Sequence, residues 1–554
     1  MSTKDYSEIA KNYAEDVVSG KIPACIYVRQ TCQRHLDDLN NPDLLFEWAP
    51  GYCNHICDFA EHMVHVKGKW AGQPIHLEPW QVFCFGVPFG WVRKKDGYRR
   101  FREMYICVPR KNGKSLIGAI IGNYMLSRDG EAGAEVYSGA SSEKQAWEVF
   151  RPAKLMTERS PGYKDAMHIT VNAKTIVQEE SASRFEPMIG TPGDGASPHC
   201  AIIDEFHEHK TSEQYDTMIT GMGARTQPML VIITTAGVNL SGPCYSKQKQ
   251  VADVLAGVKT NNELFGAIYT LDEGDDWTDL QNWKKANPNY GVSVFEDYLK
   301  ARLLEATQVA SRQNIIRCKH LNQWMNANTA WMNMIAWNKC KKDVKLDDFL
   351  GYPCWVGIDL ASKVDMAALM LLFHREGKFY IFGKYYLPSS TINLPQNDHY
   401  HKWRDDGYIT ETPGSAIDYG YIEEDLKNFA KIFDIKEVPY DPFQATQFAI
   451  RMMEEGLPMI EFGATVKNFS EPMKNLEALV LEEKFIHDGN PVLTWMASNV
   501  VAHYDAKDNI FPRKDYPENK IDGIVAGIMA LGRATLTTDG NVESVYEQRD
   551  MIVL

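Results

Sequence analysis

From Met104 onward the sequence alternates short apolar runs with longer stretches of helical spacing, and nothing else in it constrains the fold as strongly. "EMYICV" precedes a loop and the helical "SLIGAIIGNYMLSR", and "AEVYSGA" precedes "SEKQAWEVFRPAKLM". "HCAIID" and "PMLVIITT" are two further runs of strand length. Apolar strands separated by helices long enough to cross over build a parallel sheet covered on both faces. The expected fold class is α/β, with residues 1–70 a helical region and residues 71–330 a domain around that sheet.

The second half is patterned differently. "CWVGIDLA" is a strand, and "MAALMLLFHREGKFYIFGKYYLP" holds two more around the tight turn "REGK", which together predict an antiparallel meander. Alternation then resumes with the helix "YIEEDLKNFAKIF", the strand "IKEVPYD", the helix "PFQATQFAIRMMEEG" and the strand "PMIEFGA". "NKIDGIVAGIMALGRAT" is a final helix. Between the halves, "YTLDEGDDWTDLQNWKKANPNYGVS" reads as a turn-rich excursion and "VFEDYLKARLLEATQVASRQNIIRCKHLNQW" as one helix. Residues 331–350 are expected to be a linker, 351–536 a second domain, and 537–554 a flexible tail without periodicity.

A chain of 554 residues is too long for one core. Its net charge of −14 argues against unaided binding of nucleic acid over the whole surface, so a local basic channel or a partner would be needed. The polar, acidic N-terminus is not a secretory signal, and "GIVAGIMALG" is too short to span a bilayer, so no membrane association is expected. Eleven scattered cysteines suggest reduced thiols in a cytosolic compartment. Cys25, Cys32, Cys53 and Cys57 cluster near His35 and His55, but their spacing fits no common zinc module, and buried thiols are expected.

"VPRKNGKSLIGA" ends like a phosphate-binding loop, with Gly113, Lys114 and Ser115 in place, while Val108 stands where a first glycine is usual. A strand before it and a helix after it supply the required context. Backbone N–H groups from Asn112 to Ser115 would bind phosphates at the helix N-terminus. Lys114 would reach the β- and γ-phosphates, and Ser115 would hold Mg²⁺. Farther along, "HCAIIDEFHEH" ends a strand in Asp204 and Glu205. Asp204 suits the water shell of the magnesium, and Glu205 is placed to polarise water. Thr234 and Thr235, with Gly237 at the end of "PMLVIITTAG", offer hydroxyls that would sense the phosphate. Upstream, "LEPWQ" offers Trp80 to stack on adenine or simply to pack, and Gln81 to read the base edge.

The stretches "LEPWQ", "VPRKNGKS", "AIIDEFHEH", "VIITTAG", "ANPNYGVS", "GIDLASKVDMAAL" and "NKIDGIVAGIMAL", in that order, resemble the large subunit of tailed-bacteriophage terminases. The resemblance covers residues 75–532. It implies a deviant P-loop carrying a basic residue, here Arg110, in an additional-strand, catalytic-glutamate ATPase domain. It implies a ribonuclease H-like nuclease domain after it. The expected activity is ATP-driven translocation of double-stranded DNA into a procapsid, with metal-dependent endonucleolytic cutting of concatemers, in the host cytoplasm. ATP with Mg²⁺ would serve the first site, and two Mg²⁺ or Mn²⁺ ions the second. Expected partners are double-stranded DNA, a small terminase subunit, the portal and procapsid, and further copies forming a homo-oligomeric ring. The family's ATPase usually needs an arginine finger, which the sequence does not place; Arg184 and Arg225 are candidates, each equally suited to an ordinary structural ion pair.

Within a ribonuclease H-like sheet, three aspartates from separate segments would meet. Asp359 lies in "GIDLAS" ahead of small residues, Asp441 ends "IKEVPYD", and Asp522 begins the last helix. Carboxylates are oxygen ligands suited to hard cations, and a two-metal nuclease needs several of them together. Asp365 is either a fourth ligand or a turn carboxylate, and Lys520 either a phosphate contact or an exposed lysine. A helicase-like or repair ATPase-nuclease is the alternative, and it would need helicase motifs beyond Asp204 and Glu205. A capsid component with a vestigial nucleotide fold would not need Lys114, Glu205 and three placed aspartates.

Overall fold

The strand-length runs are buried along their whole length, so each needs cover on both faces. In the computed structural model, which describes residues 4–189, 195–327, 329, 331–360, 364–394, 397–443, 445–505 and 507–538, they form one sheet. Its order is Leu264–Ile268, Glu103–Cys107, Met229–Thr234, Cys200–Asp204, Glu135–Ala140, Ser183–Ile189, Ile176–Gln178 and Ile169–Val171. The first six strands are parallel and the last two antiparallel. Alternate side chains feed two cores. Met104, Ile106, Val231 and Ile233 pack with Ile117 and Ile120 of helix Lys114–Ser127. Tyr105, Leu230 and Ile232 pack with Val251 of helix Pro243–Leu255. The Met229–Thr234 strand separates the strand before the phosphate loop from the strand ending in Asp204, which is the additional-strand arrangement.

The N-terminal helices Tyr6–Val18, Ile26–Leu39 and Pro50–His62 share the first of these cores. All eleven cysteines are buried free thiols, and burial pushes the Cys32 and Cys57 thiols well up. The helix expected from Val294 to Trp324 is two helices, Glu296–Gln308 and Ala310–Leu321, broken at Val309. The apolar spacing runs on through Val309, so the break leaves no mark in the periodicity.

The chain divides into two compact units, Met1–Glu305 with Ile315–Met325, and Ala306–Asn314 with Asn326–Leu554. Residues 331–350 are not a linker. Trp331, Met332, Trp337 and Cys340 are buried in the core of the second unit, and Trp337 stacks on His487 at 4.5 Å. Their aromatic content needs burial, which outweighs the polar residues between them.

The second unit holds a sheet ordered Ile409–Thr412, Lys378–Pro388, Ala367–Arg375, Pro353–Asp359, Asp434–Tyr440, Met459–Glu461, with Phe485–His487 also beside Lys378–Pro388. The expected meander is antiparallel, and its turn uses positive φ at Glu376 (53°) and Gly377 (71°), the pattern of a two-residue hairpin. Asp434–Tyr440 then adds parallel to Pro353–Asp359, and Met459–Glu461 parallel to that, giving the ribonuclease H-like arrangement. Helix Asp522–Thr538 packs over Pro353–Asp359, where Gly357 lets the Ala526 backbone come close. A hairpin, Val500–Tyr504 with Ile510–Lys514, lies beside helix Val466–Leu481. The tail expected from residue 537 lies outside the described residues beyond 538.

Candidate active sites

The sheet first delivers a nucleotide-sized cavity of about 860 Å³. Val108, just past the strand end at Cys107, still donates its N–H to Thr234 O at 3.1 Å and so continues the extended pairing, which does not call for glycine. The chain turns later, with left-handed φ at Lys111 (73°) and Gly113 (87°), and the helix starts at Lys114. Arg110, Gly113, Lys114 and Ser115 line the cavity together with Asp204 and Glu205. Lys114 Nζ lies 3.2 Å from Val108 O and 3.9 Å from Glu205 Oε1. Burial lowers the Lys114 pKa against the opposing pull of Glu205 and Asp204.

The two carboxylates differ sharply. Burial, reinforced by the charge of Glu205, pushes Asp204 up to about 7. For Glu205 the upward push of burial is outweighed by His207 and Lys114, which hold it at about 2. Glu205 is thus ionised and able to orient a water, while the contacts that stabilise its charge also weaken it as a base. Glu205 sits in the left-handed region (φ 49°), and its Oε2 is buried without a well-aligned hydrogen bond, although His207 Nδ1 is 3.2 Å away. Backbone strain and an unsatisfied buried oxygen on one residue are features that concentrate at functional sites. Asp204, a buried carboxylate lacking full compensation, fits a divalent cation beside Ser115.

Several expectations shift. Trp80 is 2% exposed, donates Nε1 to Asn289 Oδ1 at 2.7 Å and meets Tyr269 edge-on, so it packs and does not face the cavity. Its helix, Pro79–Gly90, is buried on nearly every side, which leaves no free ring face. Gln81 does line the cavity, its Oε1 accepting the Glu78 N–H at 3.0 Å. The aromatic wall comes instead from Trp70, with His65 5.6 Å from it, and His76 nearby in the lining. That segment is polar and aperiodic, so only its tryptophan and histidines hinted at it. Asn112 turns its side chain away from the cavity. Thr234 and Thr235 are buried and reach Glu205 only through His207, whose N–H donates to Thr234 Oγ1 at 3.1 Å. Thr235 Oγ1 lies 3.3 Å from His207 Nδ1. Arg225 is occupied by Glu131 and by the Ser197 and Gly133 carbonyls, while Arg184, nearly half exposed, pairs with Glu135 and Glu186.

In the second unit, Ile358 pairs with Tyr440 in parallel register, so Asp359 and Asp441 follow side by side at the ends of adjacent strands. Helix Asp522–Thr538 brings Asp522 to the same end of the sheet. Burial raises Asp359 well above the ordinary carboxylate range, and the charges of Asp522, Asp441 and Asp365 add to it. Burial, then Asp365, moves Asp522 to about 6, and its Oδ2 is buried without a partner. Among the described residues no three His, Cys, Asp or Glu side chains are placed so as to hold a metal ion together. The acidic residues share charge that Lys514 and Lys520 offset only in part, since Asp359 and Asp522 stay raised, and such oxygen donors suit hard cations. Asp365 is held by Lys520 and by Lys514 at 3.5 Å, and Lys520 is thereby paired and largely covered. Of the small residues after Asp359, 361–363 lie outside the described residues.

A P-loop sheet with an added strand, and a ribonuclease H-like sheet with an acidic end, define an ATPase joined to a nuclease. A family model described as the terminase large subunit, endonuclease domain, matches residues 259–537, and one described as its ATPase domain matches residues 79–253. The protein YmfN of Escherichia coli (strain K12) is 44% identical over 375 residues, 65% of this chain and 80% of that protein. The terminase large subunit of Enterobacteria phage HK97 is 26% identical over 498 residues, 86% of this chain and 95% of the other. The crystal structure of the HK97 bacteriophage large terminase aligns at 24% identity with a TM-score of 0.43, covering 87% of this chain and 99% of that one. The chain belongs to the terminase large subunit family, the ATPase and endonuclease of phage DNA packaging. The endonuclease match starts ahead of the Leu264–Ile268 strand, which in the structure completes the ATPase sheet.

Proposed function

We propose that this chain hydrolyses ATP in the cavity around Lys114 and Glu205 to move double-stranded DNA into a procapsid, and cuts concatemers at Asp359, Asp441 and Asp522. The observation that carries the reading is the placing of Lys114 Nζ 3.9 Å from Glu205 Oε1 in one cavity. Lys114, Arg110 and the N–H groups of Asn112 to Ser115 bind the phosphates, and Gln81 with Trp70 borders the base. Glu205 orients a water and accepts its proton. Thr234 and Thr235, acting through His207, link that glutamate to the neighbouring strand. In the second unit the three aspartates hold the ions, and the lysine-paired Asp365 stands beside them. When bound, Mg²⁺ at Ser115 and Asp204, and Mg²⁺ or Mn²⁺ at the aspartates, neutralise phosphate charge and make water a better nucleophile. The setting is the host cytoplasm, with a small terminase subunit, a portal and a ring of like chains as partners.

The test is ATP turnover and plasmid cleavage on one purified preparation. Glu205→Gln is expected to bind ATP yet turn it over about a hundredfold more slowly or worse, with Mn²⁺-dependent nicking unchanged. Near-normal turnover in that variant removes the glutamate's role.

A further inference from the structure

The stretch 287–293, within "ANPNYGVS", has no chemistry of its own in the reading above, yet it meets the phosphate loop at several points. We propose that it is a clamp that shapes that loop from behind, with Asn289 as the positioning residue. The proposal rests on residues 108–115 being the nucleotide loop.

Ser293 Oγ donates to Lys111 O at 2.7 Å, and the Asn289 N–H donates to Asn112 Oδ1 at 3.0 Å. Asn112 Nδ2 in turn donates to Asn287 Oδ1 at 3.0 Å and to Pro109 O at 3.2 Å. Asn289 Oδ1 accepts the Trp80 indole N–H at 2.7 Å, and Asn289 Nδ2 donates to Ser293 Oγ at 3.1 Å. The clamp is itself anchored, because Asn287 Nδ2 donates to Trp283 O at 3.0 Å and His320 O at 2.9 Å. Asn112, Asn287 and Asn289 are almost wholly buried, so the bonds among them are made out of water, while the Ser293–Lys111 bond lies at the surface.

A phosphate loop must point consecutive N–H groups at an anion, which requires left-handed backbone inside it. Glycine adopts that conformation freely, whereas here Lys111 adopts it, with φ at 73°. A lysine held there needs outside support, and Ser293 binds the carbonyl of that same residue. With the Lys111 carbonyl and the Asn112 side chain engaged from behind, the N–H groups of 112–115 remain free to face the cavity. Asn289 and Ser293 also border the cavity, so clamp and ligand share one wall. The segment thus holds from outside a left-handed turn that glycine would adopt without strain.

The experiment uses the full-length protein and a fluorescent ATP analogue, with ADP as competitor. Asn289→Ala keeps the backbone N–H bond to Asn112 but loses the side-chain bonds to Trp80, to Ser293 and to the Asn112 carbonyl at 3.4 Å. It should weaken both nucleotides about tenfold, with kcat at saturating ATP changed far less. Ser293→Ala should weaken them about threefold, one neutral bond. Trp80→Phe keeps an aromatic side chain but loses the indole donor and part of the ring, and its effect on nucleotide affinity should add little to Asn289→Ala in the double variant, because the two share one bond. A merely structural role would lower Tm and leave nucleotide affinity as in wild type. Wild-type affinity in folded Asn289→Ala overturns the clamp. Should that variant not fold, wild-type affinity in both Ser293→Ala and Trp80→Phe overturns it equally. Lys114→Ala separates the two levels of argument: if it binds like wild type, the nucleotide reading itself fails.

Discussion

Gly357 lies two residues before Asp359 on the same strand, so both face the helix that carries Asp522. An alanine there would drive its Cβ onto the Ala526 carbonyl oxygen, with the carbonyl carbon at 2.7 Å and the Cα at 3.3 Å. Non-bonded heavy atoms pack at about 3.5–4.0 Å, so the helix must retreat by more than about 1 Å. Ala526 is one turn beyond Asp522, and the retreat therefore carries Asp522 away from Asp359 by a similar amount. Overpacking of this kind costs about 1–3 kcal/mol, and a misplacement of about 1 Å costs on the order of a hundredfold in rate. Gly357→Ala is thus expected to fold, with somewhat lower Tm, and to nick supercoiled plasmid with Mn²⁺ about a hundred times more slowly. ATP turnover on the same preparation should be unchanged, since that site belongs to the other unit. A folded Gly357→Ala that nicks at the wild-type rate would refute the idea that this contact sets the distance between the carboxylates.

Asn replacements at Asp359, Asp441 and Asp522 should each cut nicking about a hundredfold or more and leave ATPase intact. Mn²⁺ should raise the Tm of each less than that of wild type. If Asp365→Asn alone abolishes cleavage, the carboxylates are misassigned. A fragment of residues 306–538, which keeps Ala306–Asn314 with the rest of the second unit, should fold and nick without ATP, whereas 351–538, stripped of Trp331 and Trp337 from the core, should be unfolded by circular dichroism. Asp129 accepts from Arg99 at 2.8 and 2.9 Å, with His199 Nε2 also 2.8 Å away. Although burial pushes the Asp129 pKa up, Arg99 and His199 hold it below the ordinary value. A lowered folded pKa stabilises at pH above the unfolded value of about 3.9 and loses that stability as the pH falls. Asp129→Ala should therefore cost about 3 kcal/mol or more at pH 7. Urea midpoints of the variant should depend less on pH below about 5 than those of wild type.

The parallel sheet was legible because its strands are uniformly apolar and each is followed by a helix or a loop of recognisable chemistry. The meander was legible from the Glu376–Gly377 turn. Asp204, Glu205 and the loop could be placed because motif and strand end coincide. Trp80 was ambiguous for a physical reason: a tryptophan at a helix start suits a ligand or a core, and only burial decides. Trp70 and His65 sit in an aperiodic segment, and Asn289 acts on a loop distant in sequence through hydrogen bonds that leave no spacing pattern. The short strands Ile169–Val171 and Ile176–Gln178 carry too few residues to show alternation. Residues 331–350 read as a linker because polar residues outnumber the tryptophans whose burial settles their place.

The helix Asp522–Thr538 closes the nuclease sheet onto a strand made far earlier in synthesis. By the time translation reaches Asn326, every strand of the ATPase sheet and the whole 287–293 clamp have been made. The second sheet then has none of its strands, and its acidic end stays unfinished until Asp522 is added. Domains fold largely in the order they are synthesised. On the proposed assignments, a nascent or prematurely released chain can turn over nucleotide before it can cut DNA. Scission is then the last capability the polypeptide acquires.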